Sequence, residues 1–312
     1  MSSEGFIAGD WGTSNLRLTL CDANGVVLEQ LKGPGASQVQ GRFEAAYAEL
    51  IAPWTTRFGA LDAVLCGMVG STIGWTNVPY VPCPTRASGI ARSMTAIADS
   101  RVYIAPGLSC RNRHSAPDVL RGEETQILGA VELDASLAQG RHLLCLPGTH
   151  TKWVVLNDGV IEEFLTAATG EVFSIVNQHS VLVRSDAQPN EGSMQVFQQA
   201  LEHVREFPQA ALTHLLFECR SRQIAGELMR NDAPQFLSGL LIGQDVLRAT
   251  QLFADILEGE ASLVIVGTAQ LIDLHRRAFA LLEHEARSVD GEAASLAGLT
   301  ALHRHLQLEG TH

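Results

Sequence analysis

Gly5-Phe6-Ile7-Ala8-Gly9-Asp10-Trp11-Gly12-Thr13-Ser14-Asn15-Leu16-Arg17-Leu18-Thr19-Leu20 is the stretch around which the rest of the chain is organised. An apolar run ends on a carboxylate, turns through Gly-Thr-Ser-Asn and resumes as an alternating strand through Leu16, Leu18 and Leu20. Such a turn presents backbone N–H groups and small hydroxyls to one point, which suits a phosphate. Asp10 beside it is suited to a hydrated Mg²⁺ that bridges phosphate oxygens. Taken alone, the stretch reads equally well as a plain hairpin whose Asp and Asn stabilise the turn.

A second copy shifts the balance. His142-Leu143-Leu144-Cys145-Leu146-Pro147-Gly148-Thr149-His150-Thr151-Lys152-Trp153-Val154-Val155-Leu156 again reads strand, Gly-Thr turn, strand. Each copy closes with a tight-turn signal and a third strand: Asn24-Gly25 before Val26-Val27-Leu28, and Asp158-Gly159 before Val160-Ile161. Two similarly spaced three-stranded meanders, each with a Gly-Thr loop, point to a duplicated domain. The expectation is an α/β chain whose two loops face across a cleft and grip a polyphosphate from both sides.

The bulk numbers bound the function. At 312 residues there is room for about two domains with substantial cores. A net charge of −12 argues against a nucleic-acid partner and against an anionic membrane surface. A phosphorylated small molecule stays compatible, because backbone donors and Mg²⁺ act locally. Lysine occurs only as Lys32 and Lys152, and Lys152 falls in the second Gly-Thr loop. It reads as a point charge for a phosphate or as an ordinary strand-end lysine. The six cysteines include no C-x-x-C pair and read as buried free thiols of a reducing, cytoplasmic setting. The N-terminal residues lack the basic and apolar regions of a signal peptide, and no apolar run reaches membrane-spanning length.

Between the meanders, helical spacing runs from Gly41 to Trp54, where Pro53 is expected to help end the helix. Leu61 to Cys66 reads as a buried strand that opens into Gly67-Met68-Val69-Gly70-Ser71-Thr72-Ile73-Gly74-Trp75. A glycine-rich loop at a strand's carboxyl end is where α/β folds place ligands. Ser71, Thr72 and Trp75 there either meet a polyol or merely turn and pack. Residues 86–98 read as helical, Val102 to Ala105 as a strand, and 109–118 as an exposed polar stretch or flap. Leu120-Arg121-Gly122-Glu123-Glu124-Thr125-Gln126 opens an amphipathic helix with two carboxylates in its first turn. Acidic residues at a helix start meet the macrodipole favourably, which suffices for Glu124. Glu123 has a second reading as general base for a substrate hydroxyl, with Arg121 near an anionic substrate group.

After the second meander, helical sequence follows Thr169-Gly170-Glu171, and a largely apolar helix spans Phe236 to Leu247. Ala261 to Val266 reads as a buried strand ending in Gly267-Thr268-Ala269-Gln270. That junction either lets a flat ring approach the backbone or is a plain tight turn. Asp290 to Leu299 opens a helix of small residues. There is no G-x-x-x-x-G-K-[ST], so a P-loop is excluded, and no G-x-G-x-x-G follows the first strand. The histidines form no metal-binding spacing, and His303 and His305 read as exposed helix residues.

Together these residues resemble the actin-like ATPase superfamily that includes hexokinase and glycerol kinase. The resemblance implies two ribonuclease-H-like (actin/hexokinase-type) domains with mixed sheets and an interdomain cleft. It maps Asp10, Gly12, Thr13, Ser14 and Asn15 onto the first phosphate hairpin. Gly148, Thr149, His150 and Lys152 fall on the second, Gly267 and Thr268 on the adenosine motif, and Gly291 to Gly298 on a connecting helix. Gly122-Glu123 takes the place of the Gly-Asp that supplies the catalytic base, with Glu where relatives mostly carry Asp.

More closely, the chain is similar to the 2-dehydro-3-deoxygalactonokinase (2-keto-3-deoxygalactonate kinase) family. The shared features are Asp10-Trp11-Gly12, Gly67 to Ser71 with Gly74-Trp75, Pro106-Gly107-Leu108 and Arg121 to Gln126. They continue with Pro147 to His150, Lys152-Trp153, Thr169-Gly170-Glu171 and Phe236 to Gly243. The resemblance implies ATP-dependent, Mg²⁺-assisted phosphorylation of the 6-hydroxyl of a keto-deoxy sugar acid, in galactonate breakdown. Asp10 would hold the metal, Glu123 would be the base, and Ser71, Trp75 and Arg121 would contact the acceptor. Residues 1–140 would form a sugar- and phosphate-binding domain and 141–312 a nucleotide-binding domain. Alternatives are a kinase for another sugar acid or polyol on the same fold, or a non-catalytic nucleotide-binding protein. A homo-oligomer is left open.

Overall fold

The computed structural model describes residues 5–183, 193–259 and 261–309. The chain opens with the meander β1 (Phe6–Trp11), β2 (Asn15–Cys21) and β3 (Val27–Pro34). Helices α1 (Ala36–Val39) and α2 (Phe43–Phe58) lead to β4 (Asp62–Gly67). The short elements β5 (Val81–Pro82), α3 (Ala87–Arg92), β6 (Thr95–Ala96) and β7 (Val102–Ile104) follow. The hairpin β8 (Leu108–Arg111) and β9 (Pro117–Leu120) then feeds α4 (Glu123–Leu133). The second meander is β10 (Arg141–Leu146), β11 (Thr151–Asn157) and β12 (Val160–Ala167). Beyond it come α5 (Thr169–His179), α6 (Met194–Glu206), α7 (Leu212–Ala225), α8 (Ala233–Leu252) and α9 (Ala254–Leu257). The chain closes with β13 (Ser262–Gly267), α10 (Ala269–Leu281), β14 (Ala286–Asp290) and α11 (Gly291–Glu309).

The architecture is α/β with mixed sheets. One sheet runs β3-β2-β1-β4-β7-β6, a second runs β12-β11-β10-β13-β14, and a small third sheet is β5-β8-β9. In the first, β1 pairs antiparallel with β2 and parallel with β4. In the second, β10 pairs parallel with β13, in register His142 to Ser262. The chain divides into two compact units. The first is Met1–Gly140 with Leu156–Phe164 and Val289–His312, and the second is Arg141–Val155 with Leu165–Ser288. The C-terminal helix α11 thus groups with the first 140 residues, whereas the sequence reading draws one break between 140 and 141.

The first unit's core lies between its large sheet and α2, where Ile7, Trp11, Leu16, Leu18, Tyr47, Trp54 and Leu65 interdigitate. The alternating leucines of β2 face inward, as the period of two requires. The second unit has one core around Leu143, Cys145, Trp153, Phe197, Val246 and Ile265, and another where α8 meets α6 and α7.

Several local expectations are corrected by the packing. Pro53 lies inside α2, which continues to Phe58 and stops at Gly59, a residue at φ +78°. Proline costs the helix one N–H donor, but the buried stripe Phe43, Tyr47, Ile51 and Trp54 carries the helix through it. Of residues 86–98, only α3 is an α-helix, and Thr95–Ala96 pairs with β7 instead. The polar stretch 109–118 is a β-hairpin with an exposed tip at His114 to Pro117, anchored at its base by the buried Leu108 and Leu120. His303 is buried and stacks on Phe6 at 4.1 Å between ring centroids, so a helix histidine here serves as a core ring. Cys83 and Cys110 are only partly buried, although all six cysteines are free thiols. Among the described residues no helix is long and apolar enough to cross a membrane.

Helices α4 and α11 touch backbone to backbone. A Cβ on Gly298 would lie 1.9 Å from Thr125 O, and one on Gly129 would lie 1.7 Å from Ala294 O. Alanine favours an exposed helix by about 1 kcal/mol over glycine, yet here it has no room. Gly298→Ala should therefore destabilise the chain by about 1–3 kcal/mol, the usual cost of overpacking. Urea unfolding measures this, and a neutral or stabilised variant would contradict the contact.

Candidate active site

In the first unit, three chain segments meet at the carboxyl ends of the parallel strands. Asp10 stands one residue from the end of β1, paired in register with Arg17 on β2 and Cys66 on β4. Burial pushes its carboxyl above the ordinary range; the charge of Arg17 opposes this and that of Glu292 adds to it. Arg17 also pairs with Glu292 at 3.2 Å. The following turn is closed by the Gly12 N–H donating to Asn15 O at 2.9 Å. Thr13, Ser14 and Asn15 are exposed.

The turn is braced from behind. Gly12 O accepts from the Ala36 N–H, and Thr13 O accepts from both the N–H and the hydroxyl of Ser37. Gly35 permits this approach, since a Cβ there would lie 2.2 Å from Ser14 C. With its carbonyls committed backwards, the turn leaves its Thr13 and Ser14 hydroxyls on the open side.

Gly67, at φ +90°, ends β4 where a Cβ would lie 2.8 Å from Trp11 O. Gly122, at φ +103°, comes down against Gly67, its own Cβ position 3.5 Å from Gly67 Cα. The start of α4 is thereby set beside the ends of β1 and β4, and the Thr125 hydroxyl locks it by donating to Gly122 O at 2.7 Å.

The two carboxylates at this helix start have different fates. Glu123 is partly buried and its Oε2 accepts from the Arg121 N–H at 3.1 Å. Glu124 is fully buried; Oε2 accepts from the Gly122 N–H at 2.6 Å and Oε1 has no partner. Burial, then the charge of Glu123, pushes Glu124 up to about 8. Glu124 is therefore more than a dipole partner: at neutral pH it holds a proton.

Arg121 donates from Nη2 to Val78 O at 2.7 Å and lies over the Tyr80 ring at 4.4 Å. Its Nε and Nη1 are buried without a hydrogen-bond partner. Leaving charged donors unsatisfied is costly, so an anion arriving here would be favoured. The Ser71 hydroxyl donates to Met68 O at 2.8 Å, and Trp75 packs its ring against Trp11 and Tyr47.

The second unit repeats the strand–turn–strand plan. Gly148 is half-buried and Thr149 and His150 are exposed, while Lys152 is buried with Nζ donating to Thr166 Oγ1 at 3.1 Å. The first turn of α5 clamps this hairpin. The Glu171 N–H donates to Thr149 O at 2.9 Å, and His150 Nε2 lies 2.9 Å from Glu171 Oε2. Gly170 makes that contact possible, a Cβ there falling 2.3 Å from Gly148 O.

Beside the hairpin lies a pocket of about 310 Å³. Gly148 and Thr151 line it from the hairpin, Thr169, Gly170 and Phe173 from α5, Gln235, Ser238 and Ile242 from α8, and Gln270, Asp273 and His275 from α10. Apolar walls with a few polar groups at this size suit a small organic ligand. Of the sequence-expected nucleotide residues, Gly148 lines the pocket. Thr268 instead caps α10, its Oγ1 accepting from the Leu271 N–H at 3.4 Å, and Gly267 packs against Pro147.

Sequence reasoning missed Gln235, Ser238, Asp273 and His275. The first two are polar positions three residues apart in the otherwise apolar first half of α8, residues 233–243, a signal visible in the sequence. His275 is the most informative: burial pushes it down to about 4, so it is neutral. Its Nδ1 contacts Leu271 O at 2.9 Å, which can only accept, so Nδ1 carries the proton and Nε2 is an acceptor. That Nε2 has no partner.

The profile of the 2-keto-3-deoxy-galactonokinase family matches residues 10–302. "Probable 2-dehydro-3-deoxygalactonokinase DgoK1" of Rhizobium meliloti (strain 1021) is 36% identical over 318 residues, covering 97% of this chain and 98% of the relative. The 2-dehydro-3-deoxygalactonokinase of Escherichia coli (strain K12) is 33% identical over 298 residues, covering 95% and 97%. The crystal structure of a Sinorhizobium meliloti protein assigned as a 2-dehydro-3-deoxygalactonokinase superposes with a TM-score of 0.81 at 34% identity, covering 96% of this chain and 99% of that one. With a family match over most of its length and relatives above 30% identity end to end, the chain belongs to the 2-keto-3-deoxy-galactonokinase family.

Proposed function

We propose that this chain transfers the γ-phosphoryl group of ATP to the 6-hydroxyl of 2-dehydro-3-deoxy-D-galactonate. Family membership supports the reaction class. The observation that carries the residue-level reading is the corner where Arg121, Gly122 and Glu123 stand against Gly67 and the end of β1. A sugar acid needs a cation for its carboxylate and a base for its hydroxyl, and the corner offers both within three consecutive residues. Arg121 takes the acid through its unpartnered Nε and Nη1, and Glu123 takes the hydroxyl proton as the oxygen attacks. The Ser71 hydroxyl and the half-buried Trp75 contact the acceptor's remaining polyol.

The turn at Gly12, Thr13, Ser14 and Asn15, exposed over its last three residues, offers donors to phosphate oxygens in the first unit. Gly148, Thr149, His150 and Lys152 do so in the second, whose pocket near Gly267 and Thr268 receives the nucleoside. Asp10 suits Mg²⁺, since a carboxyl raised by burial is relieved by a cation. Among the described residues no group of three or more His, Cys, Asp or Glu is placed to hold a metal. Mg²⁺ bound with ATP needs only one or two carboxylates, with waters and phosphates completing its shell. When bound, it neutralises charge on the phosphates. Catalysis of this kind is chiefly positioning and charge stabilisation.

The test is an ADP-release assay with 2-dehydro-3-deoxygalactonate, its gluconate-derived counterpart and simple polyols. Preference for the first supports the reading, preference for another acceptor gives the substrate to a different sugar acid or polyol, and ATP binding without transfer makes the chain non-catalytic. Within that assay Glu123→Gln should lower kcat by about 10²–10⁴-fold, the usual worth of a general base, with the KM for ATP little changed. Turnover equal to wild type would reduce Glu123 to a helix-start carboxylate.

Glu124 separates itself from that role by its proton. Folded, it keeps the proton to about pH 8, whereas the unfolded chain releases it near the ordinary 4.5. The associated stability is fully present below about 4.5 and is lost as pH rises through 8. Against the non-titrating Glu124→Gln variant, wild type should lose about 1.4 kcal/mol per pH unit in that window. Urea unfolding at pH 5.5 and 7.5 measures the difference, and parallel curves would show that Glu124 does not titrate this way.

A further inference from the structure

We propose that Asp245, on α8, is a positioning residue for the second phosphate turn: its carboxylate ties β11 to the first turn of α5, and so holds Gly148–His150 in the shape that receives phosphate. The inference rests on the ATP reading above and assigns a residue that touches neither substrate.

The geometry is a closed ring of contacts. Asp245 Oδ1 accepts from Trp153 Nε1 at 2.9 Å, and Oδ2 accepts from Thr169 Oγ1 at 2.5 Å. The Thr151 side chain also hydrogen-bonds to this carboxylate. Thr151 and Trp153 are the first and third residues of β11, directly after the turn, and Thr169 is the first residue of α5. From α5 the ring returns to the turn through Glu171 N–H to Thr149 O and through the bare Cα of Gly170 against Gly148 O. One carboxylate therefore fixes both elements that set the turn.

Two features make this tie matter more than an ordinary hydrogen bond. Helix α5 has no fully buried residue and no side-chain cap on its N-terminus, so packing alone fixes its start loosely. A carboxylate is also a costly choice for this place. Burial pushes Asp245 up to about 6 even against its three hydrogen bonds. An ionised acceptor repays that cost by making stronger and strictly one-way bonds: every donor must point at it.

The experiment compares Asp245→Asn, Thr169→Val, Thr169→Ser and the Asp245→Asn/Thr169→Val double variant in the full chain. The readouts are KM for ATP, KM for the sugar acid, and calorimetric affinity for a non-hydrolysable ATP analogue. Loss of a hydrogen bond to a charged group should raise the KM for ATP about 10-fold in Asp245→Asn and Thr169→Val. The KM for the sugar acid should stay within about twofold, Thr169→Ser should restore wild-type ATP use, and the double variant should be little worse than the worse single one. The Trp153 indole N–H resonance should move in Asp245→Asn. Folded variants with wild-type affinity for the analogue would overturn the proposal, as would equal rises in both KM values that simply track lost thermal stability. If wild type does not phosphorylate the sugar acid, the functional reading fails while analogue affinity still judges the tie. If wild type does not bind the analogue either, both fail.

Discussion

The first unit depends on the contact between Gly67 and Gly122. Each adopts a positive φ that a side chain would strain, and each lacks the Cβ that would hold the segments apart. With those atoms missing, the loop ahead of α4 comes down onto the end of β4, which itself lies against the Trp11 carbonyl at the end of β1. The helix then lies close enough for the Thr125 hydroxyl to reach both Gly122 O and Cys66 Sγ. Its far face carries Gly129, and the backbone contact with α11 continues the same economy of side chains.

That approach creates the electrostatics of the corner. Two successive glutamates enter a helix start that alone would favour both. The fold instead gives one a partly open position beside the Arg121 backbone and seals the other under the helix, where desolvation outweighs the dipole and keeps it protonated. Arg121 is held by Val78 O and the Tyr80 face but left with donors unspent. The net charge of −12 is thus no guide to this site: the corner combines a fixed cation, a neutral acid and a half-buried carboxylate within four residues.

The family and the α/β class were legible in the sequence through motifs spread along the chain, and the rest of what was legible was local. Alternating leucines and the Asn-Gly and Asp-Gly turns gave both meanders, and Gly122 ahead of two glutamates gave the start of α4 to the residue. The misses come from tertiary competition. Pro53 sits inside a helix because a four-residue aromatic and aliphatic stripe outweighs one lost donor. Residues 95–96 leave a helical pattern to pair with β7. His303 is a core ring because Phe6 lies beneath it. His275 and Asp245 stand among other polar letters on α10 and α8, and only the fold discloses that one faces a pocket and the other joins two elements.

The likeness between the two meanders extends past their strands. In each copy the chain leaves the third strand, passes a glycine and turns back under the Gly-Thr loop. Gly35 does this in the first copy, its missing Cβ falling 2.2 Å from Ser14 C; Gly170 does it in the second, 2.3 Å from Gly148 O. The next residue donates its N–H to the turn in both: Ala36 to Gly12 O at 3.0 Å, and Glu171 to Thr149 O at 2.9 Å. A glycine at the same station in both copies is what a turn needs when its carbonyls must be satisfied from behind so that its donors stay free in front. The copies differ in what anchors that returning segment. The first relies on the Ser37 hydroxyl and the Gln38 amide, both exposed. The second is tied by Thr169 to a carboxylate on another helix. The two hairpins therefore share a device for shaping the loop and differ in the means of stiffening it.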